Sequence, residues 1–209
     1  MVPEEIAVPP LVLRRWRAAD APAVLAAVER SLPELRRFMP WAMQKPTLES
    51  VGAFVESSWN PTPPETFGFG LFDAGGEVVG GFGLHGRRGP GILEIGYWVR
   101  SDRTGRGYAT AAARALTDAG FESYPGVFRV EIRCDPENVA SAAVAAKLGY
   151  SLDARVDVEV EAEAQTGVQQ VWATGRAGWA AEPRPTWRPS AGRPAPPTAR
   201  TPRRWRRSR

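Results

Sequence analysis

The stretch Arg103-Thr104-Gly105-Arg106-Gly107-Tyr108-Ala109-Thr110 decides how the rest of the chain is read. Two glycines one residue apart let the backbone turn sharply with no Cβ in the way. Successive amides then face one anion, and the alanine-rich helix expected to follow, up to residue 121, points its positive end at the same place. A pyrophosphate suits such a loop, although G-x-G alone also fits an ordinary glycine turn. Two other phosphate loops are excluded. The chain has no G-x-x-x-x-G-K-[ST], and Thr110 stands where the dinucleotide fingerprint needs its third glycine.

Working outward, the pattern upstream is a meander and not a βαβ unit. Alternating runs at 66–72, 77–84 and 92–99 read as strands, with turns at Gly75-Gly76 and at 87–91. Before them lie a strand at 11–16, a helix opening at Asp20-Ala21-Pro22 with aspartate at the cap, and an irregular stretch at 33–46. A helix over 47–59 follows, stopped by Asn60-Pro61-Thr62-Pro63-Pro64. Downstream come a strand at 128–133, a helix at 138–148 closed by Gly149 as its C′ glycine, and a last pair of strands at 150–160 and 168–174. The fold class is therefore α+β: one mixed, mostly antiparallel sheet flanked by helices in a single domain over 1–178.

A second motif opens the 138–148 helix: Asn138-Val139-Ala140-Ser141-Ala142-Ala143-Val144-Ala145-Ala146-Lys147-Leu148-Gly149-Tyr150. Asn138 and Ser141 are three apart and share a face. Alone, the pair is an N-cap and little more. In this order and spacing, the two motifs together resemble the GCN5-related N-acetyltransferase family, and within it the ribosomal-protein N-terminal acetyltransferases. The resemblance spans roughly residues 9–176. The strand Leu93-Glu94-Ile95-Gly96-Tyr97-Trp98-Val99 looks like that branch's fourth strand, and Val171-Trp172 fits its closing strand.

The resemblance implies acetyl-coenzyme A as cosubstrate and an amine as acceptor. It implies that amides of Thr104, Gly105, Arg106, Gly107, Tyr108 and Ala109 cradle the pyrophosphate. The backbone near Val99 would pair with the pantetheine arm and polarise the thioester carbonyl. Asn138 would hydrogen-bond the arm, and Ser141 would lie beside the sulfur. Two positions depart from the pattern. Thr104 stands where Gln or Arg is usual, and Ala145 stands where many members carry a tyrosine acid seven residues after the asparagine. The ribosomal branch uses serine instead, which Ser141 fits.

Acetyl transfer to an amine needs a proton acceptor, an oxyanion donor and a donor to the leaving thiolate. The Val99 amide suits the second task and Ser141 the third. Glu94, a charge inside an apolar strand, is the candidate base through a water, with a side chain facing solvent or an arginine the equal alternative. His85 or a water is the other base; His85 ends a strand beside Gly86, where a solvated histidine is common. The single cysteine, Cys134, reads as a core residue, and one cysteine with one histidine leaves no set for a metal cluster. Phe38, Trp41, Trp59, Tyr97 and Trp98 are core or acceptor-pocket aromatics.

Charge is divided unevenly. The segment from 180 onward has nine arginines against Glu182 alone, so its +8 within a chain of +4 leaves the rest at −4. The high isoelectric point therefore says nothing about nucleic-acid binding by the domain. The proline- and arginine-rich segment 179–209 is expected to be disordered. No apolar run is long enough to cross a membrane, and 1–10 does not read as a secretory signal, so a cytoplasmic protein is expected. Three acceptors or partners remain: a protein or peptide N-terminal amine, a small amine such as an aminoglycoside or polyamine, and RNA or the ribosome through the basic tail, with Trp187 and Trp205 able to stack.

Overall fold

The computed structural model describes residues 2–59 and 66–181. In chain order its strands are β1 (Glu5–Val8), β2 (Leu11–Arg15), β3 (Phe67–Phe72), β4 (Val78–His85), β5 (Ile92–Val99), β6 (Arg129–Cys134), β7 (Ser151–Asp157) and β8 (Val168–Gly175). Its helices are α1 (Ala21–Arg30), α2 (Leu32–Arg36), α3 (Leu48–Ser57), α4 (Tyr108–Ser123), α5 (Val139–Lys147) and α6 (Arg176–Ala181). The strands form one sheet in the order β1-β2-β3-β4-β5-β6-β8-β7. Every neighbouring pair is antiparallel except β5 with β6. This is the α+β architecture that the alternation and turn residues predict.

Side chains alternate across the sheet and feed two cores. On one face Leu84, Leu93, Ile95, Val130 and Ile132 pack with Ala112, Ala113 and Leu116 of α4 and with Ala145 and Leu148 beyond it. On the other face Trp16 and Val78 pack with Val24 and Val28 of α1 and Val51 and Val55 of α3. Alanine on the inner face of α4 lets that helix lie close to β5. There the nearest neighbour of a methyl group on Gly120 would be Leu93, at 3.1 Å.

Several local details differ from the sequence reading. An additional strand, β1, pairs with β2; its short, partly polar sequence ahead of Pro9-Pro10 gives little periodic signal. Asp20 stands at the α1 N-cap position but its carboxylate caps no amide of α1. It receives both Arg14 Nη1 and Nη2 at 2.8 Å, and the Arg17 amide at 2.7 Å. The irregular 33–46 stretch contains the one-turn helix α2 and a 3-10 turn at Pro40–Ala42. Ordered structure also runs beyond 178. Trp179 is buried against Tyr150 at 6.0 Å between rings and donates to Asp118 at 2.7 Å. The expected disorder from 182 onward, and the proline stop at 60–65, lie outside the described residues. Among the described residues no helix is long and apolar enough to cross a membrane.

Candidate functional site

The two motifs meet where the sheet opens. β5 and β6 pair only at Ile92↔Arg129, Leu93↔Val130 and Glu94↔Glu131, although β5 runs on to Val99 and β6 to Cys134. Beyond Glu94 the two parallel strands diverge. The Arg100 amide donates to the Val79 carbonyl at 2.8 Å, toward β4. Amide directions alternate along an antiparallel strand, so those of Tyr97 and Val99 face away from β4, into the gap. A gap edged by unpaired strand amides is where an extended arm can add itself to the sheet.

The glycine loop closes one end of this gap. Gly105 and Gly107 have φ of +72° and +79°, a left-handed conformation that side-chain-bearing residues rarely adopt. Thr104, expected as a substitute for a longer side chain, instead turns its hydroxyl back to the Ser101 carbonyl at 2.9 Å. α4 starts at Tyr108, and its first-turn amides lack intrahelical acceptors by construction. The loop 104–109 therefore offers an anion cradle at the end of a sixteen-residue helix.

α5 supplies the other end. Asn138 is its N-cap, and Oδ1 accepts the Ser141 amide at 3.2 Å. Its side-chain N–H groups remain available to an arm lying in the gap. Capping leaves the Ser141 hydroxyl pointing across to β5, where it lies 2.9 Å from the Tyr97 hydroxyl. Cys134, buried at the end of β6, borders the same serine, and burial raises its thiol pKa. Burial likewise pushes Tyr97 up to about 12, with the Ser141 hydrogen bond working the other way. Two uncharged hydroxyls and a thiol thus line the point where the strands part. Tyr97 was legible only as a core or pocket aromatic, because its partner is 44 positions away.

The opposite face of β5 carries the remaining candidates. Register places His85 opposite Glu94, Gly83 opposite Gly96, and Gly81 opposite Trp98, so all six share that face. Glu94 is 5% exposed and fully engaged: Arg87 Nη2 donates to Oε1 at 2.5 Å and Arg88 Nε donates to Oε2. Burial acts to raise its pKa, but the two guanidiniums outweigh that and hold it below the usual carboxylate range. Of the two readings open for Glu94, arginine pairing is the arrangement found. Its parallel neighbour Glu131 forms ion pairs with Arg129 and Arg133 at 2.7 and 2.8 Å.

Walls rise on this second face. Trp98 covers Gly81 and lies 6.4 Å from Trp41 of the 3-10 turn. The β7–β8 connection reaches over to the same region, with Glu163 and Ala164 amides donating to Arg36 and Arg37 carbonyls at 3.2 and 2.8 Å. On this face of β5, Trp98 is thus flanked by 36–43, to which the 158–167 connection is hydrogen-bonded. The β5–β6 gap and this wall meet along one strand, β5. Among the described residues no cluster of His, Cys, Asp or Glu is arranged to hold a metal ion.

A family model described as an acetyltransferase (GNAT) domain matches residues 10–151. No curated relative matches the sequence. Among solved structures, the microcin C7 self-immunity acetyltransferase MccE in complex with acetyl-CoA and AMP is 17% identical with a TM-score of 0.73. That alignment covers 83% of this chain and 97% of that one. RimJ of Mycobacterium smegmatis, in complex with CoA-disulfide, is 25% identical with a TM-score of 0.69, covering 80% and 82%. The Salmonella typhimurium acetyl transferase that modifies the N-terminal serine of ribosomal protein L7/L12 is 20% identical with a TM-score of 0.72, covering 82% and 99%.

Proposed function

The chain belongs to the GNAT acetyltransferases, and from that premise we propose that it transfers acetyl from acetyl-coenzyme A to the N-terminal amine of a protein or peptide in the cytoplasm. One observation supports the coenzyme's place above the others: the β5–β6 gap begins beside the glycine loop and ends at the Tyr97–Ser141 pair. The pyrophosphate sits on the amides of 104–109 and the pantetheine arm runs along Val99 toward Asn138. The thioester carbonyl accepts from a β5 amide that faces the gap, and the sulfur lies at Ser141.

The acceptor enters from the other face of β5, past Trp98. Its amine lone pair attacks the thioester carbon, and the negative charge that develops on oxygen is met by the β5 amide. The amine's proton leaves to a base, the C–S bond breaks, and the thiolate takes a hydrogen bond from Ser141. Tyr97 fixes the orientation of that hydroxyl.

A peptide acceptor is favoured by the neighbours that modify ribosomal-protein N-termini. A small-amine acceptor is the second reading, since MccE, whose complex contains AMP, matches the fold equally well. Free-thiol release from acetyl-coenzyme A, measured with serine- and alanine-initiated peptides beside aminoglycosides and polyamines, separates them. Turnover of peptides at lower KM is expected. Turnover of a small amine with none on peptides would overturn the peptide assignment.

A further inference from the structure

We propose that His85 is the proton acceptor for the attacking amine, and that Glu94 is a positioning carboxylate that anchors Arg87 and Arg88 around it. The inference rests on the acetyl-transfer reading above and goes beyond it by assigning the base.

Placement comes first. The imidazole of His85 lies folded back along its own strand over Gly83. A methyl group on Gly83 would fall 2.2 Å from Nε2, so only glycine leaves room for the ring there. A methyl group on Gly96 would fall 3.6 Å from the same Nε2, which puts the ring in contact with the middle of β5. Gly96 directly precedes Tyr97, whose amide faces the gap where the thioester carbonyl is received. His85 therefore overlooks the reacting carbon from the acceptor face, the side from which the amine arrives.

Availability comes second. Neither ring nitrogen has a hydrogen-bond partner among the described residues, whereas both Glu94 oxygens are occupied by guanidinium donors. The charged groups around the ring are Arg87 and Arg88, which oppose its protonation, and Glu94, which favours it. Burial, reinforced by Arg87, lowers the imidazole to about 4, so at neutral pH the ring is free to accept. A base this weak is sufficient. Once the amine nitrogen bonds to the thioester carbon it is a cationic nitrogen on a tetrahedral centre, far more acidic than the free ammonium. Its N–H bond breaks toward Nε2, directly or through one water, as the C–S bond breaks toward the thiolate. The proton on the ring then returns to solvent, and the released thiolate takes one up from solvent, leaving amide and coenzyme A thiol.

His85 is the single histidine of the chain, which makes the test unusually clean. In an NMR titration of the full-length protein, the one imidazole should stay neutral well below its ordinary value of about 6.5. Its resonances should also shift when acetyl-coenzyme A is added. An imidazole that titrates between 6 and 7 and does not respond to acetyl-coenzyme A would overturn the proposal, whatever acceptor the enzyme uses. In the thiol-release assay with a serine-initiated peptide, His85→Ala should lower kcat by about 100-fold with the acetyl-coenzyme A KM unchanged. Added imidazole should restore part of that rate, and His85→Gln should not. Wild-type rates in either variant would overturn the role of His85. A wild-type protein inactive on all amines would instead count against the acetyl-transfer reading, leaving the NMR result to decide the histidine.

Discussion

Ser141 shows how one position can serve fold and chemistry through different atoms. Its amide completes the α5 cap by donating to Asn138, while its hydroxyl is spent on Tyr97. The two roles therefore separate by mutation. Ser141→Ala removes the donor to the departing thiolate and should lower kcat by roughly 10- to 150-fold, since a charge-assisted hydrogen bond contributes about 1.5–3 kcal/mol. Its melting temperature should move little, because the cap remains. Asn138→Ala should do the reverse to stability, costing about 1 kcal/mol, read by thermal melting. A Ser141→Ala enzyme with unchanged kcat would remove the serine from the chemistry. His85 adds a pH effect whose sign follows from its lowered pKa. Between about 4 and 6.5 the unfolded chain binds a proton there that the folded chain does not, so stability falls on acidification through that window. The loss, on the order of 2–3 kcal/mol, should be missing from His85→Gln in paired denaturation curves at pH 7 and pH 4.5.

Elements differ in how much of them the sequence discloses. The glycine loop and the start of α5 were legible because their causes are local: left-handed glycines, a capping asparagine, a C′ glycine at Gly149 with φ of +81°. The meander was legible from alternation. What stayed hidden depends on contacts between distant segments. Nothing in 92–99 tells that Glu94 meets arginines from the preceding turn, or that Tyr97 meets α5. The strand β1 is an edge strand beside two prolines, where a periodic signal is weakest. Trp179 reads as the edge of a polar tail, yet it is the side chain that α6 presents to Tyr150. The loop gives the sharpest element-level expectation. Gly107→Val puts a β-branched residue at φ of +79° and a side chain in front of the anion cradle. A stability cost of about 1–3 kcal/mol is expected, with the fold retained by circular dichroism.

At the scale of the whole molecule, the sheet sorts the helices onto its two faces. Helices α4 and α5 pack on one face and α1 to α3 on the other; in the proposed function the coenzyme lies on the first side and the acceptor on the second. α6 closes the core on the α4 side, so its removal and removal of the tail are different experiments. Ending the chain after 181 should leave melting temperature and coenzyme affinity near wild type. Ending it after 175 removes Trp179 and also Arg176, whose guanidinium donates to the Phe121, Tyr124 and Val127 carbonyls. Loss of a buried tryptophan alone costs about 3–5 kcal/mol, so this second truncation should melt many degrees lower. Equal melting of the two would show that α6 contributes nothing to the core. The claim on which all of this depends is that the loop 104–109 and the β5–β6 gap form the coenzyme site. Calorimetric titration of acetyl-coenzyme A into the wild type and into Gly107→Val tests it most directly. Saturable binding by the wild type, weakened about tenfold or more in the variant, which is about 1.4 kcal/mol, is the predicted result. A folded wild type that gives no binding heat, or equal affinity in the two proteins, would contradict it.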